Sequence, residues 1–215
     1  MLFVKSLHET DAILRIGGNS GKTKFYCPNC DLPFTKIAFA GQSLLNHLNV
    51  KFTRNGLDFY YCWRCDLKLS PFTYRASGRV YELQSYQEGV GDGYVYAPYP
   101  ASFNEINVSL RPLSHDELIE IDSHIVEYSS NGLVFKNIDD YVLRKHDLDI
   151  SIGTFYYNSG GKQFVTCENC KVTAEVVVTI PGIVGENNFA GSKTVVMVFG
   201  FCVGCNLVTA FHYCD

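Results

Sequence analysis

The sequence predicts an α+β fold in which two small β-rich modules, residues 1–75 and 151–215, flank a mixed α/β middle segment, residues 76–150. Three observations predict it. Eight of the nine cysteines fall into four C-x-x-C pairs, grouped in twos toward the two ends of the chain. The runs around those pairs are rich in Val, Ile, Thr, Phe and Tyr, residues that suit a pleated, half-buried surface. Between the two groups lies a stretch of helical periodicity opened by a capping sequence.

The cysteine pairs set the frame. Cys27 and Cys30 are followed by Cys62 and Cys65, and Cys167 and Cys170 by Cys202 and Cys205. The gap inside each group is the same, 31 residues from Cys30 to Cys62 and 31 from Cys170 to Cys202. A shift of 140 residues lays one group on the other and also matches Gly21-Lys22 with Gly161-Lys162, Phe59 with Phe199 and Leu67 with Leu207. Such self-similarity is the mark of one structural unit used twice. Each pair reads as a knuckle between strands. In the first unit the strands are Thr23–Tyr26, Phe34–Ala40, Leu57–Tyr61 and Leu67–Tyr74. In the second they are Gln163–Thr166, Val172–Ile180, Thr194–Phe201 and Leu207–Tyr213. Asn55-Gly56 and Pro181-Gly182 supply turns, and a short helix around Ser43–Leu48 bridges the halves of the first unit.

In the middle segment, Gly78–Tyr86 reads as a strand and a Gly/Pro/Tyr-rich loop follows through Pro100. Ser114 and Glu117 form a capping box, and Leu118, Ile121, Ile125 and Tyr128 recur at helical spacing up to a stop at Asn131-Gly132. A second short helix is expected after Asn137, with Asp139 and Asp140 at its front and Arg144, Lys145 and His146 at its rear, as the helix dipole favours.

Composition bounds the function. Nearly half of the 215 residues are apolar and the net charge is −4, so the chain is globular and no polycation. The charge is unevenly spread, with ten Lys/Arg against five Asp/Glu in residues 1–75 and five against thirteen in residues 76–150. The first module and the middle therefore either meet different surfaces or lie against each other. Lys5, His8, Glu9 and Asp11 break the N-terminal apolar stretch, and no run approaches the ~20 apolar residues of a membrane span. A reducing, cytoplasmic location is expected, where clustered cysteines read as metal ligands and not as disulfides.

Two residues between cysteines let both sulfurs of a knuckle point at one ion, and two knuckles complete a closed tetrahedral shell. The expected cofactors are two structural Zn(2+) ions, one on Cys27, Cys30, Cys62 and Cys65, the other on Cys167, Cys170, Cys202 and Cys205. Tetrahedral sulfur also suits iron. The first unit resembles rubredoxin in knuckle spacing but carries Asp31 and Asp66 where rubredoxins place glycine. Residues 20–75 and 160–215 resemble zinc ribbons, a superfamily that implies a scaffold and leaves its function open.

Other motifs read as structural. Gly17-Gly-Asn-Ser-Gly-Lys-Thr23 looks like a phosphate loop but is one residue short between glycines and leads into a strand, where a phosphate loop needs a helix. His115, Asp116 and Glu117 fit a helix cap, no catalytic constellation stands out, and no small-molecule substrate is evident. Lys24, Lys36, Arg54, Trp63, Arg64 and Lys68, interleaved with Phe25, Tyr26, Phe52, Tyr60, Tyr61 and Tyr74, form a mixture suited to phosphates and splayed bases. Half of those aromatics are also needed for the module's own core. The function expected is a non-enzymatic zinc-binding interaction module that docks on protein partners, with a nucleic-acid-contacting face on module 1. The alternative is a structural subunit of a larger assembly, a viral one on the strength of its Tyr- and Asn-rich composition. An enzyme with its site in residues 76–150 ranks behind both. The apolar strands Val172–Ile180 and Thr194–Phe201 require cover on both faces, from the chain or from a partner.

Overall fold

Alternation and β-branching carry most of the chain into strands. A computed structural model describes residues 3–6, 8, 10–19, 25–50, 55–62, 71–77, 80–86, 102–130, 133–138, 150–153, 155–157, 161–163, 165–190 and 195–214. The chain runs β1 (Phe3–Lys5), β2 (Ile13–Gly18), β3 (Thr35–Gly41), α1 (Gln42–His47), β4 (Gly56–Tyr61), β5 (Phe72–Ser77), β6 (Val80–Ser85) and β7 (Phe103–Pro112). It continues through α2 (His115–Ser123), β8 (Ile125–Ser130), β9 (Leu133–Ile138), β10 (Ser151–Ile152), β11 (Phe155–Tyr157), β12 (Gly161–Gln163) and β13 (Val176–Pro181). β14 (Ile183–Val184), β15 (Asn187–Asn188), β16 (Val195–Cys202) and β17 (Leu207–Cys214) complete it.

The fold is mostly β, which corrects the α+β expectation. Eleven strands form one curled antiparallel sheet in the order β4-β3-β2-β7-β1-β10-β13-β16-β17-β5-β6, and β8–β9, β11–β12 and β14–β15 are separate two-stranded hairpins. Strands from the N-terminal, middle and C-terminal thirds are hydrogen-bonded side by side within it. β7 lies between β1 and β2, and β17 lies between β16 and β5.

The middle segment is where the helical reading fails. The periodicity of Leu118, Ile121, Ile125 and Tyr128 spans two elements, because α2 stops at Ser123 and Ile125–Ser130 pairs with Leu133–Ile138 as a hairpin. Of α2's residues only Ile121 is buried and Ile119 stays exposed, so no apolar stripe holds a longer helix down. The second helix expected after Asn137 falls on residues 139–149, outside those described. Among the described residues the helices are α1, six residues, and α2, nine.

Both helices end as their sequences require. Ser114 Oγ accepts from Glu117 N at 3.2 Å, and Glu117 Oε2 accepts from Ser114 N at 2.8 Å, the expected capping box. Arg111 on β7 grips the same carboxylate through two N–H donors at 2.9 and 2.7 Å, tying α2 to the sheet. Helix α1 stops through Asn49 (φ 58°): Asn49 N donates to Asn46 O and Val50 N to Leu45 O, which turns the chain back under buried Leu45.

The curl encloses a core drawn from Leu14 and Ile16, Ala38 and Ala40, Leu57 and Phe59, Val176, Val178 and Ile180, Met197, Phe199 and Phe201. Side chains join the two ends of the sheet. Tyr81 Oη on β6 donates to Asp58 Oδ2 on β4 at 3.0 Å, and Lys36 Nζ holds the other oxygen at 3.0 Å. Tyr60 N donates to Tyr74 Oη at 2.9 Å, and Tyr61 Oη meets His212 Nδ1 at 2.7 Å. Burial drives the Tyr60 and Tyr74 phenols well above their ordinary pKa, so both stay neutral within this seam. Among the described residues no helix is long and apolar enough to cross a membrane.

The two hydrogen bonds from Arg111, ahead of the cap itself, hold Glu117 down at a pKa of about 2 from 4.5. A carboxylate whose folded pKa is depressed contributes stability that is complete above its unfolded pKa and is lost as pH falls toward the folded one. The window is therefore about pH 4.5 down to 2. Glu117→Gln is expected to cost about 1 kcal/mol at pH 7, discounted for the partial exposure of Arg111, and to flatten stability across that window. Chemical denaturation of both proteins at pH 7, 4 and 2.5 checks it: an unchanged difference at all three values contradicts the assignment.

Candidate metal centres

The second centre is complete among the described residues. The sulfurs of Cys167, Cys170, Cys202 and Cys205 all lie within 4.8 Å of one another, with Cys170 Sγ and Cys202 Sγ 3.6 Å apart. In the first, Cys27, Cys30 and Cys62 meet the same limit, with Cys30 Sγ and Cys62 Sγ 3.7 Å apart, and Cys65 lies outside the described residues. A disulfide would need about 2.05 Å. Metal–sulfur bonds of about 2.3 Å in a tetrahedron place sulfurs about 3.8 Å apart, so these clusters could each hold a metal ion.

The backbone explains why the sulfurs converge. After Cys27, Asp31 N donates to Cys27 O and Cys27 N to Leu32 O, and Phe34 N closes the loop on Phe25 O. After Cys167, Lys171 N donates to Cys167 O, Cys167 N to Val172 O, and Ala174 N to Val165 O. Every one of these bonds maps onto its counterpart under the 140-residue shift. So do the bridges Tyr26–Pro33 and Thr166–Thr173. Among the described knuckles the residue after the second cysteine turns left-handed, Asp31 at φ 54°, Lys171 at 59° and, after Cys205, Asn206 at 54°. The lack of glycine at Asp31 thus leaves that knuckle intact, which removes the Asp31 half of the contrast with rubredoxin; Asp66 lies outside the described residues.

The strands beneath the knuckles repeat as well. Ala38 pairs with Phe59, Phe39 with Asp58 and Ala40 with Leu57; shifted by 140, these become Val178 with Phe199, Thr179 with Val198 and Ile180 with Met197, all observed. The equivalent residues Phe59 and Phe199 touch each other, ring centroids 5.3 Å apart, so the two units meet through the same surface.

What differs is the packing under each knuckle. In the first unit Phe25 stacks on Phe34 at 4.1 Å and stands edge-on to Tyr60 at 5.8 Å, with Tyr74 and Tyr81 around them. Their counterparts in the second unit are Val165, Ala174 and Gly200. A Cβ on Gly200 would lie 2.3 Å from Val165 Cγ1 and 3.3 Å from Ala174 Cβ, so glycine is what lets this smaller knuckle sit down on β16.

Polar groups hold the second centre from outside its sulfurs. Asn169 Nδ2 donates to Cys205 Sγ at 3.3 Å, and Val203 N donates to Glu175 Oε2 at 2.9 Å. Burial is the main cause that pushes the Cys202 thiol far up, with neighbouring thiols adding to it and the Cys205 N–H opposing it. A cation entering the cluster must therefore displace protons. The sequence carried a sign of the Asn169 contact that went unread: Cys-Pro-Asn-Cys and Cys-Glu-Asn-Cys share the asparagine, Asn29 and Asn169.

The remaining sequence candidates fare differently. Lys24, Arg54, Trp63, Arg64 and Lys68 lie outside the described residues, as does Phe52. Lys36 is described, and its ammonium is ion-paired with Asp58 and largely covered. Phe25, Tyr60, Tyr61 and Tyr74 are core residues, which removes them from any base-stacking face, whereas Tyr26 is half exposed. Gly17 and Gly18, of the phosphate-loop-like run, take φ of 81° and 91° at a bulge in β2, and residues 20–24 lie outside those described. His115 and Asp116 are exposed in the first turn of α2. Both faces of the β13–β16 pair are covered by the chain itself, the outer one by Val165, Ala174 and Phe211 against Val177 and Val198.

No family model, curated protein or solved structure matches this chain.

Cys202→Ser removes one of four ligands, and the purified variant is expected to carry one metal equivalent where the parent carries two; two equivalents in the variant would contradict the ligand set. Gly200→Ala is expected to lower stability by about 1–3 kcal/mol through the clash with Val165, while Gly204→Ala, with open space around it, stays within about 0.5 kcal/mol. Denaturant midpoints of the two variants decide the point.

Proposed function

We propose that this protein is a non-catalytic scaffold stabilised by two structural zinc ions, working as an interaction module within a protein assembly. The observation that carries the reading is the second sulfur cluster: four cysteines from two knuckles, mutually within 4.8 Å, leave a bound cation no open position for water or substrate. A closed thiolate shell adds its binding energy to folding. Zinc is chosen over iron because it needs no redox partner, and both accept the same ligands.

The docking part of the proposal is supported by what the knuckles display. Leu32 and Val172, equivalent under the repeat, stand 36% and 58% exposed at the two knuckle tips, and Tyr26 beside Leu32 is 51% exposed. Apolar side chains held out at matched positions on rigid turns are contact residues available to a partner. In the described part of the basic, aromatic set Lys36 is paired and four of the aromatics are buried, which leaves Tyr26 as the exposed aromatic.

Two measurements test the reading. Elemental analysis of the purified chain should give two zinc per molecule with no visible absorption; iron with a charge-transfer band would replace zinc by an electron-transfer centre. Titration of the zinc-loaded protein against labelled single- and double-stranded DNA and RNA should stay flat. Micromolar binding that falls steeply with salt would move the function to nucleic acid.

A further inference from the structure

We propose that Cys170 is the thiol-modification site of this protein: hydroperoxide enters the second metal centre there, joins Cys170 to Cys202 and releases that zinc while the first is kept. The inference rests on the zinc assignment above and adds to it a difference in reactivity between the two centres, argued from their described residues.

Access is the first ground. Cys167 and Cys202 are 2% exposed, Cys205 is partly covered, and Cys170 is open to solvent. In the first centre Cys27 and Cys62 are buried and Cys30, the counterpart of Cys170, is only partly accessible. Oxidants select thiolates by charge and exposure, and a metal keeps all its sulfurs ionised, so exposure discriminates among them.

The second ground is what each knuckle must leave behind when it lifts. The first is pinned by the Phe25–Phe34 stack, which also reaches Phe72, Tyr60, Tyr74 and Tyr81. The second rests Val165 and Ala174 on Gly200, in a small cluster with Val177 and Val198. Opening the first exposes several rings to water; opening the second exposes only the smaller aliphatic side chains of Val165, Ala174, Val177 and Val198.

The chemistry closes without a further reactant. The Cys170 thiolate attacks one peroxide oxygen; an S–O bond forms, the O–O bond breaks, and hydroxide leaves as water after taking a proton. Cys202 Sγ, 3.6 Å away, then attacks Cys170 Sγ; the S–S bond forms, the S–O bond breaks, and a second water departs. Two thiolates, one peroxide and two protons become one disulfide and two waters. Zinc, left with Cys167 and Cys205, is released.

The test treats the zinc-loaded full chain with hydrogen peroxide, follows free zinc with a chromogenic chelator, and maps cysteines by alkylation and mass spectrometry. One zinc equivalent is expected to leave at least about tenfold faster than the other, with the Cys170–Cys202 disulfide appearing at the same rate. Dithiothreitol with added zinc should restore the starting state. Equal release from both centres, first oxidation among Cys27, Cys30, Cys62 and Cys65, or fast release with Cys170 still alkylatable overturns the proposal. The zinc count taken before peroxide is added separates this failure from failure of the zinc assignment, since a chain starting with fewer than two equivalents overturns both.

Discussion

A hairpin that is apolar on both faces has to be covered twice, and this requirement shapes the molecule. In β13 and β16, Val176, Val178, Ile180, Met197, Phe199 and Phe201 point one way, and Val177, Val196 and Val198 point the other. The first set is buried by curling the sheet until distant strands face each other. The second set is covered by the loop that carries the cysteines, with Phe211 beside it. The cysteine knuckle is thus a piece of the core's lid, and the geometry that brings sulfurs together is the same geometry that keeps water off Val177 and Val198.

The first unit solves the same problem with different volumes. Phe25, Phe34 and Tyr60 occupy the places of Val165, Ala174 and Gly200, large residues replacing small ones at all three positions at once. Interiors are packed to constant density, so such exchanges must be made together. The ring-filled version also contributes Tyr60 and Tyr74 to the seam that joins the ends of the sheet, where Gly200, the counterpart of Tyr60, has no side chain to offer.

Much of this was legible in the chain itself. The cysteine spacing located both clusters, the 140-residue repeat anticipated that knuckles and strands would match, and Ser114 with Glu117 marked the start of α2. The strands flanking the knuckles, β3, β4, β16 and β17, lie where β-branched and aromatic runs place them. What escaped included β1 and β7, whose partners lie far away in sequence: Phe3 pairs with Pro112 on one side and Ile152 on the other. Local pattern carries no information on such joins. The fold class was missed for a related reason, because the spacing of Leu118, Ile121, Ile125 and Tyr128 satisfies a helix and equally a short helix followed by a strand, and the pairing of Ile125–Ser130 with Leu133–Ile138 decides between them.

The order of strands in the sheet has a consequence for how the chain finds its structure. Hairpins β3–β4, β13–β16 and β16–β17 join neighbours in sequence, and each cysteine group spans fewer than 40 residues. The joins that complete the sheet are of another kind, as Leu207 must reach Arg75 and Val4 must reach both Arg111 and Ser151. Loop-closure entropy is met before such contacts return anything, so they form late and limit the rate. The two knuckle-bearing hairpins can therefore mature early as separate nuclei, each already shaped by its own turn hydrogen bonds. Until β2, β10 and β5 arrive, those nuclei present bare strand edges to any neighbouring chain.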